Sequence, residues 1–332
     1  MEGRLLCVAA EIGAARYFEP LWKRWLSAAP GFQWRVVAGD GASSYLHKIG
    51  LAQALPGFAA ASNDGDLPSI PAWKPTAVIA SAGDHHRIEL AAIRLARNLG
   101  APSAQYVDTW YNYRRRFDHA GGVVFPDTIL VIDDVARREA AAEGLPAERL
   151  HVVGQPAWEH RAPLRPAPKQ HVLFLGAPVR RDYGSTLGFD ETDAWNVVRA
   201  AATRAPDRFQ RVIYGAHPAQ DDLTEAGVSP FKITRNSMDA LQECGTVVGI
   251  FSSPMIDAFL GGRTVVSVQP HMRGNDLGPL SRHGYIRRVD AAEHLIEALG
   301  EVPNDADALS GQLRGSTERL DERIHRLMRT YK

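Results

Sequence analysis

Cysteine is scarce: Cys7 and Cys244 are the only two in 332 residues. Both stand in apolar contexts, which predicts buried free thiols in a reducing compartment and no disulfide framework. Net charge is also missing, since 38 Lys and Arg balance 38 Asp and Glu. Without a basic footprint no nucleic-acid partner is expected. No apolar run is long enough for a membrane span. The opening MEGRLLCVAAEIG stops being apolar at Glu11 and has no secretory cleavage pattern, so it reads as the first strand of a cytoplasmic protein. No repeat of solenoid period is present. No Asp-x-Asp pair closes a strand, because Asn63-Asp64-Gly65-Asp66 falls in a loop. No metal site is therefore expected.

The chain does contain a regular alternation of short β-branched runs and longer amphipathic ones. Its length suggests two domains. In the first half, strands are expected at Leu5–Ala10, Trp34–Ala38, Ala77–Ala82, Ser103–Val107, Ile129–Ile132 and Leu150–Val153. Helices are expected at Tyr17–Ala28, Tyr45–Leu51, Ile88–Leu99 and Asp134–Glu143, and residues 56–76 read as loop. The segment RAPLRPAPKQ, 161–170, reads as a linker between domains. The second half repeats the logic, with strands at His171–Leu175, Arg211–Ala216, Val247–Phe251, Thr264–Val268 and Tyr285–Val289. The expected organisation is a first domain over 1–160 and a second over 171–308. A final charged helix within 309–332 would cross back to the first. The fold class is α/β, with two Rossmann-like, doubly wound parallel-sheet domains and a cleft at the carboxyl ends of their strands.

The rest is organised around GTVVGIFSSPMIDAFLGGRTVVSVQP, residues 245–270. Val247–Phe251 reads as a buried strand. Ser253 is the expected N-cap, Pro254 fits the first helical turn, and Gly261-Gly262 ends the helix. Two hydroxyls at a helix start form a seat for a phosphate, although an ordinary capped helix would use the same letters. Other polar residues fall at equivalent strand ends: Glu11, Asp84, His85, His86, Asp108 and His217.

His217-Pro218 and, 34 positions after Pro218, Ser252-Ser253 resemble the HP and paired-serine motifs of bacterial sialyltransferases. The arrangement is similar in CDP-glycerol glycerophosphotransferases. The resemblance implies a GT-B architecture and a cytidine-nucleotide donor. It places Asp257 on the donor ribose, with His217, Pro218, Ser252 and Ser253 at the leaving phosphate. Gly176 and Arg180 are further candidates facing the donor phosphates. Imidazole and hydroxyl donors, with the helix N-terminus, suit the charge that grows on a departing phosphate without a metal. The implied activity is transfer of a CMP-linked nonulosonic or similar acidic sugar to a hydroxyl of a glycan, lipid-linked or protein acceptor. No cofactor beyond the nucleotide-sugar substrate is implied. The alternatives are CDP-polyol phosphate transfer, UDP-sugar transfer, a nucleotide-sugar 2-epimerase and a non-catalytic sugar-nucleotide binder. Against the epimerase, the helix after Ser253 lacks the acidic pair in which those enzymes resemble one another.

A base for the acceptor is expected from the first domain. Asp108 and Glu11 rank level and Asp84 third, though each is equally placed to cap a helix. No acidic-acidic-Gly base motif of the sialyltransferase kind closes a strand. The loop DTWYNYRRRFDH, 108–119, offers Trp110 and Tyr113 to a sugar and Arg114 to an anionic group, with His85 nearby. Local packing and a solvated charge run explain the same residues. Trp22-Lys23-Arg24-Trp25 would suit either a membrane surface, at the inner face where lipid-linked acceptors lie, or the core.

Overall fold

The computed structural model describes residues 3–63, 67, 70–83, 87–119, 122–159, 161–217, 220, 231–300 and 306–330. It divides into two units, residues 1–160 with 311–332, and 161–310.

The first unit runs β1 (Arg4–Ala9), α1 (Ile12–Ser27), β2 (Gln33–Ala38), α2 (Asp40–Lys48), β3 (Ala59–Ala60), α3 (Ile70–Trp73), β4 (Ala77–Ser81) and α4 (Arg87–Asn98). It continues through β5 (Ser103–Tyr106), a hairpin of β6 (Asp118–His119) and β7 (Gly122–Val123), β8 (Thr128–Val131), α5 (Asp134–Ala142), β9 (Leu150–Val152) and α6 (Pro156–Glu159). The described residues form a seven-stranded parallel sheet in the order β3-β2-β1-β4-β5-β8-β9. Leu5 to Ala9 have no exposed surface, as a strand covered on both faces requires. The order reverses between β1 and β4, and ligands of such sheets bind beyond the strand ends at that switch.

The second unit contains β10 (His171–Leu175), α7 (Val179–Tyr183), α8 (Glu191–Arg204), β11 (Arg211–Gly215), β12 (Lys232–Thr234), α9 (Ser237–Glu243), β13 (Thr246–Gly249), α10 (Ser253–Leu260) and β14 (Thr264–Val268). It closes with α11 (Pro279–Arg282), β15 (Arg287–Val289) and α12 (Ala292–Ala298). Its parallel sheet has the order β12-β11-β10-β13-β14-β15 and switches between β10 and β13. Phe174, Trp195 and Tyr214 pack together at its centre.

Several expectations shift. The helix after β1 starts at Ile12, because Glu11 adopts an extended N-cap conformation and its carbonyl accepts the Ala15 N–H at 3.0 Å. Residues 56–76, read as loop, include β3 and α3, too short to show a period. The stretch 161–170 is docked rather than free. Leu164 donates its N–H to the Gly261 carbonyl at 2.9 Å, and Arg263 donates to the Arg165 carbonyl at 2.8 Å. Cys7 and Cys244 are buried free thiols, and burial pushes them up to about 12 and about 11. Trp22 and Trp25 are core residues, at 0% and 4% exposure. Among the described residues no helix is long and apolar enough to cross a membrane.

After α13 (Asp307–Leu313), α14 (Ser316–Thr330) packs on the first unit. Glu159 caps its start, accepting from the Thr317 N–H and hydroxyl at 2.8 Å each. Arg24 reaches Glu318 at 2.8 Å, and the Trp25 indole donates to Asp321 at 2.8 Å. This docking needs a glycine at 154. Its φ is +85°, and an added Cβ would lie 1.9 Å from Ser316 Oγ. Gly154→Ala should therefore lower the unfolding free energy by about 2 kcal/mol or more, from left-handed strain plus displacement of α14. An unchanged urea midpoint would contradict this reading of the turn.

Candidate functional site

In the first unit, the chain end of β5 places Asp108 close to the start of α1. A Cβ on Gly13 would lie 3.3 Å from Asp108 Oδ2, so the absence of a side chain there lets the carboxylate approach the helix N-terminus. Arg116 lies 3.6 Å from Asp108 Oδ1. That guanidinium is buried and anchored to the Ala82 carbonyl and, at 2.7 Å, to Thr109 Oγ1. Burial raises the Asp108 carboxyl above its ordinary value. The Arg116 charge opposes this and the neighbouring Glu11 adds to it. Tyr17 and Tyr106 stack beside this group, and both phenols are raised by burial and by the Asp108 charge. The Tyr17 hydroxyl is buried without a hydrogen-bond partner among the described residues. Glu11 itself is exposed and makes no side-chain cap. A carboxyl made more basic than usual, steadied by an arginine, is suited to accept and return a proton.

In the second unit, α10 begins one residue earlier than expected. Ser253 is helical and Ser252 takes the N-cap place in an extended conformation, with no side-chain cap bond. Ser252 Oγ is buried without a partner, whereas Ser253 is exposed. His217 follows β11, and its backbone N–H donates to Gln220 Oε1 at 2.8 Å. Burial, and then the Arg181 charge, lower the His217 imidazole, with Asp182 opposing. The ring is therefore neutral near pH 7 and carries one N–H. Gly176 leaves room for this turn, since a Cβ there would sit 2.5 Å from Gln220 Oε1.

The other expected residues are placed differently. Asp257 is fully buried, with Arg161 at 3.6 Å, so its carboxylate faces the docked linker rather than the surface. Arg180 is exposed and tied to Asp190 at 3.0 Å. Trp110 is interior, donating to Asp133 at 2.7 Å and stacking on Trp158. Tyr113 is interior and donates to Glu139 at 2.9 Å. Arg114 pairs with Asp118 at 3.2 Å, and its N–H donates to Glu143 at 2.9 Å. The decorated loop is thus a packed structure whose aromatic surface is used internally. Asp84, His85, His86 and Pro218 lie outside the described residues.

Three residues escaped the sequence reading. Glu89 is buried and accepts from Ser81 Oγ and, at 2.6 Å, from the Gly83 N–H. It holds the end of β4, and a glutamate in the first turn of an amphipathic helix was its only signal. Gln220 braces the His217 turn, donating to the Tyr214 hydroxyl at 3.1 Å. Asp276 gathers Gln269, the Gly278 N–H and Ser281 at 2.6 to 2.7 Å beyond β14. Neither Gln220 nor Asp276 sits in an element with a period to reveal it.

No protein-family model matches the chain, and no curated protein matches it. The fold does have solved relatives. It is similar to the UDP-GlcNAc 2-epimerase of Methanocaldococcus jannaschii with TM-score 0.67 and 13% identity, covering 99% of this chain and 100% of that one. It is similar to the Neisseria meningitidis UDP-GlcNAc 2-epimerase bound to UDP-GlcNAc, with TM-score 0.64, 11% identity, and 97% and 100% coverage. It is also similar to HepE from Anabaena in complex with UDP and glucose, with TM-score 0.59, 11% identity, and 98% and 99% coverage. At these identities the likeness is one of fold: two parallel-sheet α/β domains of the GT-B-like kind.

The Asp108 environment sets a pH dependence. Its folded pKa lies above the ordinary 3.8. The stability it contributes is complete below 3.8 and lost as pH rises through the folded value. Asp108→Asn should therefore gain stability relative to the parent between pH 4 and pH 7, read by thermal unfolding at each pH. A difference that is flat, or that narrows toward pH 7, would contradict this assignment.

Proposed function

We propose that the protein acts on a UDP-linked sugar and inverts its C2 centre, with Asp108 removing the C2 proton. The observation that supports the nucleotide half is the match of 97 to 98% of the chain to structures that hold UDP or UDP-GlcNAc. The cytidine donor expected from the His-Pro and paired-serine motifs gives way to a uridine donor for that reason.

The chemistry follows from the substrate. A pyranose C2–H is not acidic, so its removal needs a concurrent sink for the electron pair. The C2–H bond breaks to a base, the pair forms a C1=C2 double bond, and the C1–O bond breaks with its pair going to UDP. Return of UDP to C1, with a proton from water delivered to the face of C2 opposite Asp108, completes the inversion, and the proton that Asp108 took passes to solvent. Nothing is oxidised overall. Asp108 supplies the basic carboxylate. The neutral His217 N–H, Ser252, Ser253 and the α10 N-terminus stabilise the leaving diphosphate. Asp257, enclosed beside Arg161, orients α10.

Transfer of the sugar to a hydroxyl acceptor is the second reading. Ala258 follows Asp257, so α10 carries a single acid, and this observation favours it. The two readings separate by dependence on an acceptor.

Calorimetry should show UDP binding more tightly than CMP or CDP. His217→Ala should weaken UDP about tenfold to a hundredfold, the worth of a hydrogen bond to a charged group. With UDP-GlcNAc as substrate, Asp108→Asn should cut turnover at least about a hundredfold while leaving UDP affinity within a few-fold. Turnover should fall on the acid side as Asp108 takes up its proton. Preference for a cytidine nucleotide, or full turnover by Asp108→Asn, would sink the proposal.

A further inference from the structure

The same sheet carries a second feature at the opposite end of its strands. A cavity of about 720 Å³ opens where β5 and β8 begin, and Arg97, Arg149, Arg323 and Arg326 line it. Ser103 lies in its wall, five residues before Asp108, so about 16 Å of extended chain separate the two ends. A smaller adjoining cavity shares Arg323 and Arg326 and includes His151, Arg137, Arg319 and one acid, Glu322.

Glu318, Asp321 and His325 form one set, in which Glu318 and Asp321 reach Arg24 and Trp25, and His325 lies 3.6 Å from Asp321. Arg323 and Arg326 line the cavities. Among the described residues neither has a carboxylate partner. Burial, and then Arg326, lower Arg323; burial, and then both arginines, lower His151. Arg97 and Arg149 are aimed by single bonds to the carbonyls of Phe125 and Pro126, at 3.3 and 3.0 Å.

The opposing charges are few. Asp127 is the lone acid in the wall, and Ser103 occupies it through N–H and hydroxyl at 2.8 Å each. The C-terminal ends of α4 and α14 contribute about half a negative charge apiece. Four guanidinium groups against these leave about two positive charges uncompensated. Arg149 and Arg323 are half-buried, Arg97 and Arg326 are exposed, and like charges gathered round one cavity repel one another, which a bound anion would relieve. Guanidinium forks match phosphate oxygens in pairs. Phe125, Pro102 and Leu327 add apolar wall, and the volume suits a molecule larger than a bare ion.

We propose that this cavity binds a phosphate-bearing dianion, at the end of the first sheet opposite Asp108. The phosphate comes either from a soluble phosphorylated molecule or from a lipid headgroup. The inference does not depend on the reaction proposed above.

Calorimetry with inorganic pyrophosphate should show binding that weakens steeply with salt. The double variant Arg323→Gln, Arg326→Gln should lose it at least tenfold, while UDP affinity stays unchanged. Flotation with phosphatidylcholine vesicles, with and without phosphatidylglycerol, identifies the source. Flotation that needs phosphatidylglycerol and the two arginines assigns a lipid phosphate. Pyrophosphate binding without flotation assigns a soluble one. In phosphate-free buffer Arg323→Gln should melt no lower than the parent, because an unpaired charge is removed. Equal pyrophosphate binding by parent and double variant, or no binding by the parent of either probe, would overturn the proposal. A lower melting temperature with unchanged pyrophosphate affinity would make Arg323 a structural residue and overturn it too.

Discussion

Parallel pairing buries a central strand on both faces, and that constraint governs where chemistry can appear. Val8, Ile79, Leu173 and Val248 have no exposed surface. Polar side chains are therefore expelled to the strand ends, where helix N-termini also offer unsatisfied N–H groups. Asp108 beyond β5, His217 beyond β11 and Ser252 beyond β13 all follow from this. At the opposite ends of β5 and β8 the lining includes Arg97, Arg149, Arg323 and Arg326.

Electrostatics then distinguishes the groups. Asp108 is raised because burial outweighs Arg116, which makes the carboxyl more basic than an ordinary carboxylate. His217 is lowered because burial and Arg181 act together, which keeps the ring neutral. Gly13 leaves room for Asp108 beside α1, and Gly176 leaves room for Gln220 to brace the His217 turn.

The architecture was legible in the sequence because burial writes itself as apolar runs. Val247–Phe251 and Thr264–Val268 announce β13 and β14, and Gly100 and Gly144 mark helix ends. The polar residues at strand ends were legible for the same reason. What those residues contact was not. Trp110, Tyr113 and Arg114 read as ligand contacts because a decorated loop has no period, yet their partners Asp133, Glu139 and Asp118 close a packed local structure. Asp257 read as a ribose ligand, and only tertiary structure shows Arg161 beside it. The N-cap moved from Ser253 to Ser252 because the chain stays extended through that residue, which composition does not encode. Hydroxyls, an imidazole and a helix N-terminus suit phosphate groups in general, so these letters carry no signal for a nucleotide base.

Proton exchange at C2 tests the central claim most directly. UDP-GlcNAc incubated with the protein in D2O, without any acceptor, should acquire deuterium at C2, read by loss of that proton's NMR signal. The exchange should vanish in Asp108→Asn. Retention of the C2 proton in the recovered UDP-sugar, with or without sugar transferred to an added hydroxyl compound, would contradict inversion at C2.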